Sequence, residues 1–167
     1  FIDDGFYKFE NCSVPQFLTI NQSIEIIKFF IDKVLINVEA PKFRPKIYIR
    51  REDANYRKII NEADLIKILR NNDFEIINPH HFPILTQMKI FSNAELVISP
   101  HGSNLTNIIC CKEGTKIIEI APKFEKNYEK NISNRYNSIS KKINLDFNRM
   151  IVDTVDVKEY SDLSKKY

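Results

Sequence analysis

One strand-to-helix transition constrains this sequence more than any other segment. An apolar run, Leu96 to Ser99, stops at Pro100, and the residues His-Gly-Ser-Asn at 101–104 lead into a second apolar stretch, Leu105 to Cys111. This order is typical of a buried strand, a tight turn and the start of a helix. Such a turn presents backbone N–H groups and the positive end of a helix dipole, so it predicts an anion-binding site. The chain has three glycines, and the one at position 102 indicates a close approach to the backbone here.

Strand-like and helix-like segments alternate on both sides of this turn. The predicted core strands are Lys46–Arg50, Phe74–Asn78, Leu96–Ser99 and Lys116–Ala121. The predicted helices are Ile24–Ile36, Tyr56–Asn71, Ile84–Ala94 and Ser103–Cys111. A fifth strand, at a sheet edge, is predicted over Arg149–Val157. The alternation predicts an α/β domain with a Rossmann-like open, mostly parallel sheet, helices on both faces and right-handed crossovers.

The 167 residues suit one domain with an arm. We expect residues 1–45 to form an N-terminal arm and helix, 46–157 the Rossmann-like domain, and 158–167 a C-terminal tail or helix. A strand over Tyr7–Val14 is possible within the arm. The first residue is Phe rather than Met and no signal-peptide pattern follows, so we expect the chain to be a piece of a longer protein.

Composition excludes several classes of function. Hydrophobic residues make up 43% and charged residues 28% of the chain, which is ordinary for a soluble globular domain. The net charge of +3 is small and the lysines are scattered, which argues against nucleic acid as a partner. No apolar run is long enough for a transmembrane segment. The three cysteines lack zinc-site spacing, and adjacent Cys110 and Cys111 on an apolar helix are most simply small core residues.

The amino-acid composition also bears on the source organism and the cellular location of the protein. A composition rich in Asn, Ile and Lys is associated with A·T-rich genomes, so a bacterial or viral source and a cytoplasmic location are favoured over the Golgi or ER lumen. Asn104-Leu105-Thr106 has the form of a glycosylation sequon, but a glycan there would block the predicted turn.

Polar side chains follow each predicted strand at the point where it ends. The first strand ends in Arg50 and Arg51, the third in the turn, and the fourth carries Glu119. In an open parallel sheet the ligand lies at the carboxyl ends of the strands. Two guanidiniums, an anion-binding turn and a carboxylate suit a nucleotide diphosphate, with the cations on the phosphates and the carboxylate on the ribose hydroxyls.

Glu119 interrupts a run that otherwise indicates a buried strand. Because a buried carboxylate without a partner is costly, we expect it to face the sheet rim or to meet an arginine or histidine. The alternative is a glutamate on an edge strand that faces solvent.

The histidines leave a metal site as another alternative. His80, His81 and His101 are the only histidines, but adjacent histidine side chains diverge on an extended backbone, and no carboxylate lies at ligand spacing beside them. We therefore expect no metal, and we favour His101, inside the turn, as the functional histidine.

Gln87 and Phe91 share a helix face at i,i+4, where Phe91 suits core packing and Gln87 has no obvious packing role.

Taken in order, these residues resemble glycosyltransferase family 61, whose members include plant xylosyltransferases, eukaryotic O-linked N-acetylglucosaminyltransferases and bacterial capsule or lipopolysaccharide enzymes. The resemblance extends over residues 46–122, and the combination of elements in this order is specific where any one would be weak. The matching residues are Arg50, Arg51, Tyr56–Glu62, Gln87, Phe91, Ala94, Ser99–Asn107 and Ile118–Ile120.

The resemblance implies a GT-B fold, in which two Rossmann-like domains face a cleft and this chain supplies the second, donor-binding domain. It implies an inverting, metal-independent hexosyl or pentosyl transfer from a nucleotide sugar, with a UDP-sugar favoured, to a glycan or glycoconjugate acceptor, for example in capsular polysaccharide synthesis. No cofactor is expected. The implied donor- and phosphate-binding residues are Arg50, Arg57, Asn61, His101, Gly102, Ser103, Asn104 and Glu119. Arg50 and Arg57 would meet or support the diphosphate, and Glu119 would reach the ribose.

Two departures from the family pattern matter. Ser103 stands where alanine is common, and the chain is too short for both GT-B domains. An inverting transfer needs a base that deprotonates the acceptor hydroxyl, and in GT-B enzymes this base commonly comes from the first domain. We therefore name no catalytic base and expect a missing first domain as a partner. A non-catalytic nucleotide- or phosphate-binding module of the same fold is the alternative function, and a metal hydrolase that uses the three histidines is a third.

Overall fold

The computed structural model describes residues 20–39, 42–52, 58–123 and 134–154. Its strands are β1 Lys46–Ile49, β2 Glu75–Ile77, β3 Leu96–Pro100, β4 Lys116–Pro122 and β5 Asp146–Val152. Its α-helices are α1 Ile20–Leu35, α2 Glu62–Asn71, α3 Ile84–Ser92 and α4 Asn134–Lys142. Two 3-10 helices, Pro79–His81 and Ser103–Cys110, complete the description.

The five strands form one sheet in the order β2-β1-β3-β4-β5, and every neighbouring pair is parallel. This confirms the predicted α/β class and the Rossmann-like open sheet. The chain runs from β1 outwards to β2, crosses back to β3 and then continues in the opposite direction to β5. The strand order therefore reverses between β1 and β3, and in sheets of this kind the ligand crevice lies where the order reverses.

Helices cover both faces of the sheet, as predicted. On one face α2 packs against β1 through a small cluster that contains Tyr48, Ile66, Leu69 and Phe74. On the other face α1, α3, α4 and the longer 3-10 helix enclose the main core, which includes Ile49, Phe91, Val97, Leu105 and Ile117. Parallel strands buried on both faces carry continuous apolar runs, which explains the Ile- and Val-rich strand sequences.

Cys110 and Cys111 lie in the main core, which confirms their prediction as small buried residues. Burial raises the pKa of the Cys110 thiol to about 11. Burial also raises the pKa of Cys111, because removal from water disfavours the thiolate. Both thiols are therefore neutral packing groups at ordinary pH.

Several predicted boundaries were wrong. The described residues 58–61 are not helical, and α2 begins at Glu62, whose carboxylate bonds to Tyr48 of β1 and to Arg50 just after it. The segment after the turn is a 3-10 helix instead of an α-helix; Thr106, Ile108 and Ile109 are branched at Cβ, which lowers the preference for the α form. The last strand covers Asp146–Val152, earlier than predicted.

The segments predicted at Tyr7–Val14 and at 158–167 lie outside the described residues. Within the described part, no helix combines the length and the apolar character needed to cross a bilayer.

Candidate functional site

A crevice opens at the carboxyl edge of the sheet, between the ends of β1 and β3. Its volume is about 140 Å³, and it lies where the strand order reverses. The residues that line it are Arg50, Arg51, Glu52, Lys58, Ile59, Glu62 and Pro100. Three cationic side chains against two carboxylates leave an excess of positive charge, which suits an anionic ligand. The space is smaller than an ordinary ligand pocket, so it would enclose a diphosphate more readily than a whole nucleotide.

Arg51 joins the crevice to the turn after β3. Its Nη1 donates a hydrogen bond of 2.8 Å to the carbonyl oxygen of His101. The guanidinium also lies against Gly102: a Cβ built on this glycine would be 2.9 Å from the Arg51 Cζ. Gly102 has an extended backbone, with φ of 171°, that any residue could adopt. The close approach predicted at this glycine is therefore made by a protein side chain.

Arg50, the other member of the pair, bonds to two carboxylates that also line the crevice. Its Nε donates to Glu62 at 3.1 Å and its Nη1 to Glu52 at 3.0 Å. Tyr48 donates its hydroxyl to the second oxygen of Glu62 at 2.8 Å. The hydrogen bond to Glu62 raises the pKa of Arg50, and burial raises that of Tyr48 above its ordinary value. Arg50 thus lines the crevice and also anchors the start of α2.

Glu119 lies beneath the turn, entirely buried in the interior of β4. One carboxylate oxygen bonds to Nδ1 of His101 and the other accepts from Nε of Arg149, both at 2.5 Å. The parallel register places Arg149 of β5 opposite Glu119, while His101 follows β3 on the other side. The prediction that this buried carboxylate meets an arginine or histidine is confirmed. The alternative of a solvent-facing glutamate on an edge strand was wrong, because β4 lies between β3 and β5.

The role implied for Glu119 at a ribose needs an exposed carboxylate. None of the Glu119 side chain is accessible, and its two oxygens bond to His101 and Arg149. Glu119 therefore contacts the turn through His101 and does not line the crevice, and the carboxylates that line it are Glu52 and Glu62.

A further support comes from α4. Tyr136 is 3% exposed, and its hydroxyl donates a hydrogen bond of 2.7 Å to the carbonyl oxygen of Gly102. Its ring packs edge-on against the ring of His101, with centroids 5.5 Å apart. The backbone N–H of His101 also donates to Ile120 of β4 at 2.8 Å. The turn is thus held from β1, β4 and α4.

The 3-10 helix Ser103–Cys110 follows the turn directly, and its first backbone N–H groups precede the point at which partners within the helix become available. Gly102 is the residue before the helix and, as a glycine, has no side chain with which to cap its first turn. Ser103 is exposed and Asn104 half-buried, so both remain near solvent at this end. Uncapped N–H groups of this kind are potential donors to an anion.

Gln87, for which the sequence indicated no packing role, has a structural one. Its amide nitrogen donates to the carbonyl oxygen of Phe82 at 2.9 Å, and its amide oxygen accepts from Asn107 at 3.3 Å. The bond with Asn107 ties α3 to the 3-10 helix Ser103–Cys110. Phe91 is buried in the main core, as predicted.

The remaining predicted residues are placed as follows. Arg57 lies outside the described residues. Asn61 precedes α2 as its N-terminal flanking residue and makes no side-chain cap bond. His80 and His81 form the short 3-10 helix after β2, and the described residues contain no group of three or more His, Cys, Asp or Glu side chains arranged to hold a metal ion.

Sequence reasoning missed three side chains of the site. Arg51 was recognised as one of a pair but not chosen, although successive side chains at a strand end point in different directions. Tyr136 and Arg149 lie in segments with no motif, and only the pairing of β4 with β5 brings them to the turn. The predicted burial of Glu119 was the one feature of the sequence that indicated a partner such as Arg149, because a buried carboxylate needs a cation or a hydrogen-bond donor.

The fold and this site define a class of protein. They describe a doubly wound parallel α/β domain with a cationic crevice at the switch in strand order, where open sheets of this kind have their ligand crevice.

The chain belongs to glycosyltransferase family 61: the family model for glycosyltransferase 61 matches residues 7–118. The chain is similar to the EGF domain-specific O-linked N-acetylglucosamine transferase of Drosophila melanogaster, with 24% identity over 96 residues. That alignment covers 56% of this chain and 18% of the relative, so the chain spans about a fifth of that relative's length. The family match ends at Ile118, and Glu119, Tyr136 and Arg149 all lie beyond it.

Proposed function

We propose that this chain is the donor-binding half of an inverting, metal-independent glycosyltransferase. The diphosphate of a nucleotide sugar would lie in the crevice between β1 and β3, near Arg51 and the N–H groups that start the 3-10 helix. Membership of glycosyltransferase family 61 supports glycosyl transfer. The position of the crevice at the reversal of strand order supports nucleotide binding there.

The observation that carries the proposal is the contact between Arg51 and the turn. The guanidinium lines the crevice, and the same group bonds to His101 and packs on Gly102. A planar guanidinium with several donors suits phosphate oxygens, and its position beside the turn lets one diphosphate contact both. Arg50 and Lys58 also line the crevice and add positive charge. In glycosyl transfer the leaving diphosphate gains negative charge, so fixed cations at this point stabilise the transition state without a metal ion.

The proposed reaction also needs groups that we do not assign to this chain. Deprotonation of the acceptor hydroxyl requires a base, which we place on a first domain facing this one across the cleft. The chain alone would then bind donor without turnover. A non-catalytic nucleotide-binding module would show the same binding and no transfer even when joined to its neighbouring domain.

For the donor we favour a UDP-sugar. The similar protein from Drosophila is named as an N-acetylglucosamine transferase, so UDP-N-acetylglucosamine is the first donor to examine. The acceptor would be a glycan or glycoconjugate, with surface polysaccharide synthesis in the cytoplasm of a bacterial or viral system as the favoured setting.

Calorimetric titration of the 167-residue chain with UDP, GDP, CDP and ADP tests the proposal. We expect one nucleoside diphosphate, UDP, to bind with a Kd on the order of 0.1–1 mM, since half the cleft would be absent. Binding should be equal with added Mg²⁺ and with a chelator. Loss of binding in the chelator would contradict the metal-independent mechanism, and the absence of binding by every nucleoside diphosphate would contradict the proposed function.

A further inference from the structure

We infer that Tyr136 is a positioning residue that orients the turn 101–103 towards the donor diphosphate. The inference rests on the proposed function and adds to it a residue beyond the segment that matches the family. Tyr136 reaches the turn from α4 and is not among the residues that line the crevice. It would therefore act on the ligand only through the backbone that it holds.

The geometry of the peptide bond links the hydrogen bond of Tyr136 to the direction of a backbone N–H group in the turn. In a trans peptide the carbonyl of one residue and the N–H of the next point in opposite directions. Tyr136 bonds to the carbonyl oxygen of Gly102, so the N–H of Ser103 points away from Tyr136. Arg51 bonds to the carbonyl oxygen of His101 and in the same way sets the N–H of Gly102. Two side chains thus determine the orientation of two consecutive peptide planes.

The burial of Tyr136 restrains its hydroxyl group. The residue is 3% exposed, and its ring packs on His101, whose imidazole is held by Glu119. A tyrosine hydroxyl held this firmly restricts the Gly102 carbonyl to one direction. Pre-ordered N–H donors bind an anion more tightly than mobile ones, because no ordering cost remains at the moment of binding.

The backbone at Gly102 needs a restraint from another residue. Glycine has no side chain that could hold the turn, and its extended conformation is open to alternatives. The hydroxyl of Tyr136 supplies the restraint that the glycine lacks. The glycine in turn leaves room for Arg51, which a Cβ would displace.

The test compares Tyr136→Phe with two control variants. Thr115→Val removes another buried hydroxyl that donates to a backbone carbonyl, that of Ala94, at the opposite end of β4. Ser140→Ala changes a buried residue one turn further along α4, whose hydroxyl has no hydrogen-bond partner among the described residues. All three remove one oxygen from the interior, and only Tyr136→Phe touches the turn.

We expect Tyr136→Phe to bind UDP and inorganic pyrophosphate about three- to tenfold more weakly, and by the same factor, since one hydrogen bond is lost behind the phosphate site. Thr115→Val should lose similar thermal stability and keep the affinity of the parent. Ser140→Ala should match the parent in affinity. Equal affinity in Tyr136→Phe and the parent, equal weakening in Thr115→Val, or weakening for UDP but not for pyrophosphate would each overturn the inference.

A spectroscopic measurement separates positioning from a loss of fold. The chain has three glycines, Gly5, Gly102 and Gly114, so labelling with ¹⁵N-glycine produces three amide cross-peaks. The Gly102 cross-peak of the parent should shift when pyrophosphate is added, and Tyr136→Phe should change its position in the free protein while that of Gly114 stays unchanged. An unchanged Gly102 cross-peak would contradict the inference. If the parent binds no phosphate ligand, the proposed function itself fails; if the parent binds and Tyr136→Phe behaves identically, only the inference about Tyr136 fails.

Discussion

The guanidinium of Arg51 donates a 2.8 Å hydrogen bond to the carbonyl oxygen of His101, fifty residues later in the chain. This contact joins the end of β1 to the end of β3 across the reversal in strand order. The two members of the arginine pair therefore have different hydrogen-bond partners. Arg51 reaches the turn, whereas Arg50 bonds to Glu52 and Glu62.

Replacement of the two arginines should therefore have different effects. We expect Arg51→Ala to weaken UDP binding by about 1.5–3 kcal/mol, the range for hydrogen bonds to charged groups. Arg51→Lys should recover only part of this loss, because an ammonium lacks the forked donor geometry. Arg50→Ala should weaken binding less and loosen the start of α2. Arg44→Ala, at an exposed arginine paired with Asp73, is the matched control. Calorimetry measures the affinities, and an Arg51→Ala affinity equal to that of the control would remove Arg51 from the site.

The two described glycines offer a paired test of the turn. Gly102→Ala should weaken UDP binding, because the new Cβ would lie 2.9 Å from the Arg51 Cζ and displace the guanidinium. Its melting temperature should change little, since the extended backbone accepts alanine. Gly114→Ala should show the reverse: its φ of +79° disfavours alanine, which costs about 1 kcal/mol of stability, and nucleotide affinity should stay unchanged. Thermal melts and titrations on both variants are needed, and normal binding by Gly102→Ala would contradict the contact.

Removal of the buried carboxylate should destabilise the fold. Glu119→Ala leaves the Nδ1 of His101 and the Nε of Arg149 without their shared acceptor in the interior. We expect the free energy of unfolding in urea to fall by about 3 kcal/mol, the lower end of the range for removal of one partner from a buried ion pair. Glu95→Ala, at an exposed position just before β3, should stay within about 0.5 kcal/mol of the parent. Similar stabilities for the two variants would show that Glu119 does not support the turn.

Stability should also depend on alkaline pH. The folded pKa of Cys110 is about 11 against an ordinary value of 9.0, so over that interval the unfolded thiol ionises while the folded thiol stays protonated. The contribution is fully present below pH 9.0 and is lost as the pH rises towards 11; two pKa units correspond to about 3 kcal/mol. The raised pKa values of Cys111 and Tyr48 act in the same direction.

Urea unfolding as a function of pH measures this effect. The Cys110→Ala/Cys111→Ala double variant should keep its stability to a higher pH and decline only when Tyr48 begins to ionise in the unfolded chain, near pH 10. A free energy of unfolding that stays constant for the parent over the same interval would show that the thiols are accessible to water.

The order of strands and helices could be predicted from the sequence because local patterns determine it. Apolar runs such as Leu96–Ser99, bounded by proline and glycine, indicated the parallel strands, and helical spacing indicated the segments between them. The turn at His101 and the Arg50-Arg51 pair carried enough local chemistry to indicate an anion site and a family. The start of α2 was misplaced, because it depends on Tyr48 and Arg50, which bind Glu62 from another element.

The sequence by itself thus determined the α/β class, the elements of the sheet and the place of the turn, all of which depend on neighbours within a few residues. Only the tertiary structure decided which arginine meets His101, that Glu119 is enclosed beneath the turn, and that Tyr136 holds the Gly102 carbonyl. These contacts join residues 18 to 50 positions apart, and they depend on strand order and register. Register arises from the packing of the whole sheet against its helices, and no local pattern encodes it.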